Sequence, residues 1–527
     1  MRSRPSWNTA GRPSVTLQWR RSLLPVPVRR QGSKGMTSST VLALSLVAGL
    51  ASSAEPPPTP PVTVAEIGGV WAGTLAHAGE TEALALDLEP GADGQVLMRL
   101  SVPVAHLDRA PIGRVAAGIE GREVRLGPFV FQYDREAKTL SGTAPKDLVP
   151  LYEIPMILRR VERFDVPSRP AIEAPAAKPV WTFDAGSPLW AGATFADGVV
   201  YAGGQDGRLH ALDGRTGRER WSFLAGGPMR TRATVAGTDV YFQADDGSLY
   251  RLAAASGEER WRVRVVGKPI ERLPFDNPKS RYDRFGSDVT IAGGRLYLGT
   301  HDGRLVAVDP SRGERVWEYA TGDSVVAAPA VADGRVVFGS FDGCVYALDA
   351  VTGKLLWRRD TRGAVVSTPA VAGDRVVVGN RSYDLLGLDA RTGDPVWTRY
   401  VWFSWVESSA AVRDGVAYVG SSDAAVVQAF DARTGERRWK TDVRGWAWGQ
   451  PALTQSRVYV GTASQKGYLA GHEGMVVAMD RATGRPAWRY DAEPGATGAY
   501  GFPGSPAVGE GLVFVTGLDG RVYAFAQ

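Results

Sequence analysis

The stretch Ala347-Leu348-Asp349-Ala350-Val351-Thr352-Gly353-Lys354-Leu355-Leu356-Trp357 decides the fold, because close copies of it recur along the C-terminal part of the chain. Each close copy keeps an aspartate, a Thr-Gly pair and a tryptophan at the same relative positions, and four of them end at Trp221, Trp397, Trp439 and Trp488. Two looser copies end at Trp261 and Trp317. A unit that returns in this way indicates a repeat architecture.

The spacing of these tryptophans indicates the kind of repeat. From Trp221 to Trp488, successive copies are 40, 56, 40, 40, 42 and 49 residues apart. A period near 40 residues is typical of one four-stranded β-propeller blade. The two longest intervals place insertions at residues 267–284 and 463–472.

The two ends of the repeat region complete each other. Residues 179–183 supply a strand around Trp181 with no strands before it, and residues 505–525 supply three strands that end before any tryptophan. Together they predict an eighth blade that closes the ring and leaves only short edges exposed. The predicted fold is therefore all-β, an eight-bladed propeller whose blade tryptophans are Trp181, Trp221, Trp261, Trp317, Trp357, Trp397, Trp439 and Trp488.

Inside the unit, short strands alternate with tight turns. Asp342-Gly343 and Thr352-Gly353 are turn sequences in which glycine tolerates a positive φ. We expect the tryptophan that follows them to fill the wedge between neighbouring blades from the outer strand. The blade tryptophans are therefore predicted to be structural.

The Ala-x-Asp-x-x-Thr-Gly-x-x-x-Trp unit resembles the pyrroloquinoline-quinone-type (PQQ-like) propeller repeat over nearly all of residues 179–527. Two kinds of protein carry this repeat: the quinoprotein alcohol dehydrogenases and the non-catalytic propeller of the outer-membrane β-barrel assembly machinery. Resemblance to the second implies a binding or scaffolding module without a cofactor. Resemblance to the first implies PQQ and Ca²⁺ next to a vicinal Cys-Cys disulfide.

The residues favour the non-catalytic interpretation. Cys344 is the one cysteine, so that disulfide cannot form, and no residues match the calcium ligands or the catalytic aspartate of the dehydrogenases. No metal site is predicted, because the five histidines, His77, His106, His210, His301 and His472, are scattered. A PQQ- and calcium-dependent dehydrogenase is the alternative.

Function is expected in the loops before each inner strand, where the repeats differ most. Charged and aromatic residues that converge on one mouth of the central channel are typical of a binding patch. The candidates for binding a protein, peptide or small ligand are Trp190, Arg230, Arg232, Asp288, Glu407, Trp446, Trp448, Gln450 and Phe502. Tyr282, Arg284 and Phe285 in the first insertion are expected to lie over the same mouth. The alternative is that the rings pack against one another as the core of the loops.

Residues 65–165 predict a separate small domain. Apolar and polar residues alternate over short runs separated by glycine turns, which is typical of an antiparallel β-barrel or sandwich. The opening Gly69-Val70-Trp71-Ala72-Gly73-Thr74-Leu75 and the closing Leu158-Arg159-Arg160 resemble a small barrel-like domain of secreted bacterial proteins that carries no activity. Proline-rich linkers are predicted on its two sides, at residues 55–64 and 166–178, and the propeller is predicted at 179–527.

Residues 1–54 are predicted to be an N-terminal extension and signal peptide. The apolar run at 41–51 has 11 residues, which is too short to span a bilayer, and small residues precede a cleavage position after Ala54. Neither Met1 nor Met36 as the start gives a regular signal sequence. No cysteine follows the run, so we expect a periplasmic or secreted protein rather than a lipoprotein, without a transmembrane segment.

The charge distribution gives no reason to expect nucleic-acid binding. The net charge is +5, but residues 1–35 hold seven arginines, one lysine and no acid, so the remainder carries about −3. A body of mixed charge lacks the basic stripe that nucleic acids require. We expect a monomer whose partner is a protein, a peptide or a small ligand.

Overall fold

A computed structural model describes residues 60–145, 152–267, 269–271, 286–466, 470–494 and 498–527. The predicted signal peptide at 1–54 lies outside the described residues, as do Tyr282, Arg284 and Phe285 of the first insertion. The described chain is almost entirely β and forms two units, a closed barrel followed by eight separate small sheets. Within this described part, no helix has the length and apolar character needed to cross a bilayer.

The small domain is an antiparallel barrel, which settles the choice between barrel and sandwich. Its eight strands pair in chain order, and the last pairs with the first. A short helix, α1 (Val64–Ile67), precedes them, and a 3₁₀ turn (Pro103–Ala105) interrupts them. The strands are β1 (Gly69–His77), β2 (Glu80–Pro90), β3 (Gln95–Val102), β4 (Leu107–Glu120), β5 (Glu123–Leu126), β6 (Phe129–Asp134), β7 (Thr139–Thr143) and β8 (Pro155–Val161).

The Gly-x-Trp-x-Gly opening has a structural cause in the barrel. Trp71 is fully buried in the barrel core, and its Nε1 donates to the carbonyl oxygen of Ile67 at 2.8 Å. A Cβ at Gly73 would come within 2.2 Å of the backbone oxygen of Ile157, so only glycine lets β1 and β8 approach this closely. Large apolar side chains fill the interior, which is therefore a packed core rather than a channel.

The propeller has eight blades, as predicted. Blade 1 comprises β10 (Thr194–Ala196), β11 (Val199–Gly203), β12 (Arg208–Asp213) and β13 (Glu219–Leu224), and blade 2 comprises β14 (Thr234–Ala236), β15 (Asp239–Gln243), β16 (Ser248–Ala253) and β17 (Glu259–Arg264). Blade 3 comprises β18 (Thr290–Ala292), β19 (Arg295–Gly299), β20 (Arg304–Val308) and β21 (Arg315–Ala320). Blade 4 comprises β22 (Ala330–Ala332), β23 (Arg335–Gly339), β24 (Cys344–Asp349) and β25 (Leu355–Asp360).

Blades 5 to 7 continue the series in the same strand order. Blade 5 comprises β26 (Ala370–Ala372), β27 (Arg375–Gly379), β28 (Asp384–Asp389) and β29 (Pro395–Tyr400). Blade 6 comprises β30 (Ala411–Arg413), β31 (Val416–Gly420), β32 (Val426–Asp431) and β33 (Arg437–Asp442). Blade 7 comprises β34 (Ala452–Leu453), β35 (Arg457–Gln465), β36 (Met475–Asp480) and β37 (Pro486–Asp491), and a further strand, β38 (Ala499–Gly501), pairs with β35.

Blade 8 closes the ring with strands from both ends of the repeat region. It comprises β39 (Ala507–Gly509), β40 (Leu512–Thr516), β41 (Arg521–Ala526) and the early strand β9 (Trp181–Asp184). β41 and β9 are antiparallel, with Ala524 opposite Trp181 and Val522 opposite Phe183. The predicted closure is confirmed.

The repeated residues join each blade to the next. The Nε1 of Trp357 donates to the carbonyl oxygen of Ala390 at 3.1 Å, across to blade 5. A Cβ at Gly393, where φ is +73°, would lie 2.5 Å from the Trp357 ring, so the Thr-Gly glycine supplies both the turn conformation and the space for that ring. Equivalent bonds run from Trp181 to Gly214, Trp221 to Ala254, Trp261 to Pro310, Trp317 to Ala350, Trp397 to Ala432 and Trp439 to Arg481.

The barrel packs against blades 5 and 6. Tyr383, Tyr400, Trp402 and Phe403 of blade 5 belong to the same buried apolar cluster as the barrel core. The hydroxyl of Tyr152 donates to Asp384 Oδ2 at 2.7 Å. Further along, Arg437 of blade 6 forms an ion pair with Glu80 at 3.2 Å, and Nε2 of His106 lies 3.4 Å from Oδ2 of Asp442 in the same blade.

The segment between barrel and propeller also lies on the ring. Arg169 forms an ion pair with Asp442, and residues 175–177 run parallel to the outer edge of β37. There the N–H of Ala177 donates to the carbonyl oxygen of Arg489 at 2.7 Å, and the N–H of Arg489 donates to that of Pro175 at 3.0 Å. This segment is therefore attached to the propeller at Arg169 and at residues 175–177.

Candidate functional site

One open cavity of about 120 Å³ lies at the mouth of the propeller, between the loops that precede the inner strands. Seven of the nine candidate binding residues line it: Trp190, Arg230, Arg232, Asp288, Glu407, Trp448 and Gln450. Ser409 and Thr368 line it as well. The loops that differ most between repeats therefore do meet at one place.

Buried hydroxyls hold these loops against their own blades. Ser367 Oγ donates to the carbonyl oxygen of Gly379 at 2.9 Å, and the N–H of Gly379 donates back to Ser367 Oγ at 3.0 Å. Thr231 makes the same pair of hydrogen bonds with Gln243 in the second strand of blade 2. Ser287 and Ser408 accept the N–H groups of Gly299 and Gly420 in their own blades, and donate to the carbonyl oxygens of Ala327 and Gly449 in the next loop. The mouth is consequently built on a rigid frame, in which little flexibility is lost when a ligand binds.

Two arginines of the mouth are held by carboxylates of neighbouring segments. Arg232 contacts Asp288 twice, through its backbone N–H and through Nε, each at 2.7 Å. Arg230 Nε lies 2.9 Å from Asp245 Oδ2, and both side chains are buried. A buried charge such as that of Arg230 is stable only when paired. The two contacts to Asp288 fix the position of the more exposed Arg232.

A third ion pair contains a residue that sequence reasoning missed. Arg381 Nε lies 2.7 Å from Glu407 Oε1, and the Glu407 side chain is only 2% exposed. The Arg381 guanidinium also lies over the rings of Trp405 and Phe341, 4.7 and 5.1 Å from their centroids. A signal was present, because Arg381 lies in a turn where five of the other seven blades carry Asp-Gly.

The aromatic wall of the mouth has two layers of buried rings, one that lines the cavity and one behind it. Trp448 lines the cavity, and its ring stacks on Trp446 with centroids 4.7 Å apart and planes 8° from parallel. Trp446 is 1% exposed and its Nε1 donates to Asp423 Oδ1 at 2.9 Å. Trp446 supports the wall from behind.

The placement of two candidates differs from the prediction. Trp446 and Phe502 do not line the cavity, because both are buried among other rings. Phe502 packs against Tyr490 and Tyr523, 6.0 and 5.5 Å between centroids. Both rings therefore lie in the core of the loops, which is the placement that the alternative interpretation describes.

Comparisons with known proteins agree with this architecture. A family model described as outer membrane protein assembly factor BamB matches residues 170–324, 277–404, 322–426 and 422–527, which together span more than half of the chain. The crystal structure of BamB from Moraxella catarrhalis aligns with 67% of this chain and 98% of its own, at a TM-score of 0.51 and 22% identity.

An enzyme shares part of the repeat region. The quinohemoprotein alcohol dehydrogenase of Comamonas testosteroni is 34% identical over 128 residues, which is 22% of this chain and 17% of the enzyme. Its crystal structure covers 66% of this chain at a TM-score of 0.50 and 15% identity, so the likeness beyond those 128 residues is one of fold. The family match over residues 170–527 shows that the chain belongs to the PQQ-like repeat family described as outer membrane protein assembly factor BamB.

Proposed function

We propose that this chain is an exported, non-catalytic β-propeller that binds a protein, peptide or small ligand at the channel mouth and acts as a scaffold in the cell envelope. The observation that carries the proposal is the convergence of seven variable loop residues on one cavity. Membership of the BamB family supports the scaffolding role.

The mouth offers a partner charges of both signs next to an aromatic surface. Arg232 and Asp288 are the more exposed pair, with side chains 31% and 20% accessible, whereas Glu407 is nearly buried. Trp448 lines the same cavity as this pair. A preorganised polar group beside a buried aromatic anchor is typical of residues that dominate binding energy.

The residues of the mouth do not fit PQQ and calcium. Ca²⁺ needs about six to eight oxygen ligands, but Asp245, Asp288 and Glu407 are each bound to an arginine. Across the described residues, no three Asp, Glu, His or Cys side chains are grouped to hold a metal ion. The cavity of about 120 Å³ is also smaller than the roughly 300–1,000 Å³ of typical small-molecule sites.

A quinone-dependent dehydrogenase is the second candidate function, and the 34% identity to the Comamonas enzyme favours it. The matched stretch covers 17% of that enzyme, which is consistent with a shared repeat alone. We expect no quinone absorbance and no dye reduction when the purified chain is incubated with PQQ, Ca²⁺ and an alcohol. Turnover in that assay would reverse the order of the two functions.

Binding at the mouth can be tested by photo-crosslinking in envelope extracts. A photoreactive residue at Thr368, inside the mouth, is compared with one at Arg312, whose side chain is 73% exposed on an outer turn. We expect adducts from position 368 only, reduced about tenfold by Arg232→Ala and by Trp448→Ala, since each removes an anchoring contact. Arg312→Ala is the matched control. Equal adducts from both positions, or adducts unaffected by both mouth variants, would refute the proposal.

A further inference from the structure

The fourth strand of each blade is the outer edge of its sheet, and most of these edges are protected from pairing with another strand. The outer strands of blades 1, 2, 3 and 6 start with a charged residue, and that of blade 8 has only four residues. Blade 5 starts with Pro395, which has no N–H to offer. The edge of blade 7 is covered by residues 175–177.

Blade 4 is different, because its edge is apolar and open. β25 begins with Leu355 and Leu356, which are 46% and 49% exposed, and Val351 in the preceding turn is 63% exposed. These three residues form what we call the blade 4 patch. An apolar edge of this kind is a template for pairing with another strand.

The covered edge of blade 7 shows how a strand can occupy such a position. The N–H and the carbonyl oxygen of Arg489 both bond outward, to the segment at 175–177. Arg489 follows blade tryptophan Trp488, just as Arg358 follows Trp357 in β25. The backbone of Arg358 is therefore expected to face outward in the same way.

The charge around the blade 4 patch indicates the chemistry of the occupant. Lys354 and Arg358 flank the two leucines and are exposed, and Arg362 follows the strand. Asp360 lies on the same strand and accepts the backbone N–H of Arg362, and the Arg359 guanidinium is paired with Asp394. The edge is net positive, which favours an acidic partner.

We propose that the outer edge of β25 binds an extended segment of a partner protein that alternates apolar and acidic residues, by adding it as a fifth strand to blade 4. Main-chain hydrogen bonds supply affinity in this mode, and alternate side chains supply specificity. The surface is separate from the channel mouth, so this inference does not depend on the mouth being a binding site.

The test uses the full chain and a fluorescein-labelled, end-blocked peptide of alternating valine and glutamate. Binding is followed by fluorescence anisotropy. We expect the double variant Leu355→Ser, Leu356→Ser to weaken binding about tenfold, because it removes the apolar contacts of the edge. Val316→Ser is the matched control, since Val316 holds the same position on the edge of blade 3 and is 45% exposed. The peptide with lysine in place of glutamate should also bind about tenfold more weakly.

Hydrogen exchange identifies the mode of binding. Added peptide should slow exchange in β25 while leaving β21 and β29 unchanged. Absence of peptide binding, equal loss in the double variant and in Val316→Ser, or protection elsewhere would overturn the proposal. Loss of binding in Arg232→Ala would also overturn it, because the peptide would then lie in the mouth. Self-association of the chain that only the double variant abolishes would also overturn the proposal, because the occupant of the β25 edge would then be a second copy of this chain.

Discussion

Blades 4 and 5 share the same repeat length but differ in the turn between their second and third strands. In blade 5 this turn contacts both the barrel and the mouth. Blade 4 turns with Ser340-Phe341-Asp342-Gly343, and blade 5 with Asn380-Arg381-Ser382-Tyr383. The backbones match, because the fourth residue is left-handed in both, with φ of +85° at Gly343 and +71° at Tyr383. A bulky residue in that conformation is strained.

The strain at Tyr383 is offset by contacts on both sides of the turn. Tyr383 itself is buried against the barrel cluster, and the next residue, Asp384, accepts the hydroxyl of Tyr152. On the mouth side, Arg381 pairs with Glu407. In blade 4 the third residue of the turn, Asp342, accepts the hydroxyl of Tyr346 and the backbone N–H groups of Gly322 and Cys344, all within the propeller. This departure from the repeat thus contributes to both domain docking and the mouth.

The largest expected effect tests what the two blades share. Trp357→Ala and Trp397→Ala should each lower the free energy of unfolding by about 3–5 kcal/mol, because each removes a ring 7–8% exposed and a bond to the next blade. Calorimetry of the thermal transition measures this. Trp221→Ala is the control, since its ring is less buried and should cost less. A much larger cost in one of the two blades would show that they are not energetically equivalent.

The next effect tests the docking of the barrel on blade 5. Tyr383→Gly recreates the residue of blade 4 and relieves the backbone strain, yet it should still destabilise the protein by about 3 kcal/mol, because it empties a buried site. We expect the barrel to melt separately and to become sensitive to limited proteolysis. A variant more stable than the wild type would mean that the Tyr383 side chain contributes little to docking.

The pH dependence of docking comes from Asp384. Burial raises the pKa of this carboxyl from 3.8 to about 6, despite the hydrogen bonds from Tyr152 and Asn380. Between pH of about 4 and 6 the native state keeps a proton that the unfolded chain has released, so the free energy of unfolding falls as the pH rises through that window.

Asp384→Asn should remove this dependence and raise stability at pH 7 by an amount on the order of 2 kcal/mol, while the amide oxygen still accepts the Tyr152 hydroxyl. Chemical denaturation between pH 4 and 8 measures it. Asp349→Asn in blade 4 is the control with the opposite sign, because hydrogen bonds from Thr352 lower the pKa of Asp349. Parallel pH profiles for the wild type and Asp384→Asn would assign the dependence to another group.

The fold could be predicted because each repeated residue has a local physical task. Asp349 accepts the N–H and the hydroxyl of Thr352, Gly353 takes a positive φ, and Trp357 reaches the next blade. Residues that have such local structural roles and recur at a fixed spacing can be recognised from the sequence alone. The position of the mouth could be proposed for the same reason, because its loops are the part of the unit in which the repeated residues are no longer shared.

The partners within the site could not be predicted. Asp245 as the partner of Arg230, and Asp384 as the acceptor for Tyr152, depend on how segments far apart in the chain are brought together. Trp446 and Trp448 have the same residue type in the same loop, and only packing decides that one lines the cavity and the other supports it. Exposure is a property of the folded loop rather than of the residue.

The smallest expected effect calibrates the backbone cost that Tyr383 carries. A Cβ added to Gly343 would have 3.5 Å to its nearest neighbour, which is ordinary contact, so Gly343→Ala adds no clash. We expect a loss of about 1 kcal/mol in the free energy of unfolding, arising from the left-handed conformation alone. Gly334→Ala, at φ +72° on an open turn of the same blade, should lose a similar amount. If Gly343→Ala costs nothing, the turn tolerates side chains freely, and the whole loss in Tyr383→Gly then measures docking. If Gly343→Ala costs the expected amount, the loss measured for Tyr383→Gly underestimates the contacts of Tyr383. Those contacts then contribute the measured loss plus the backbone strain that they offset.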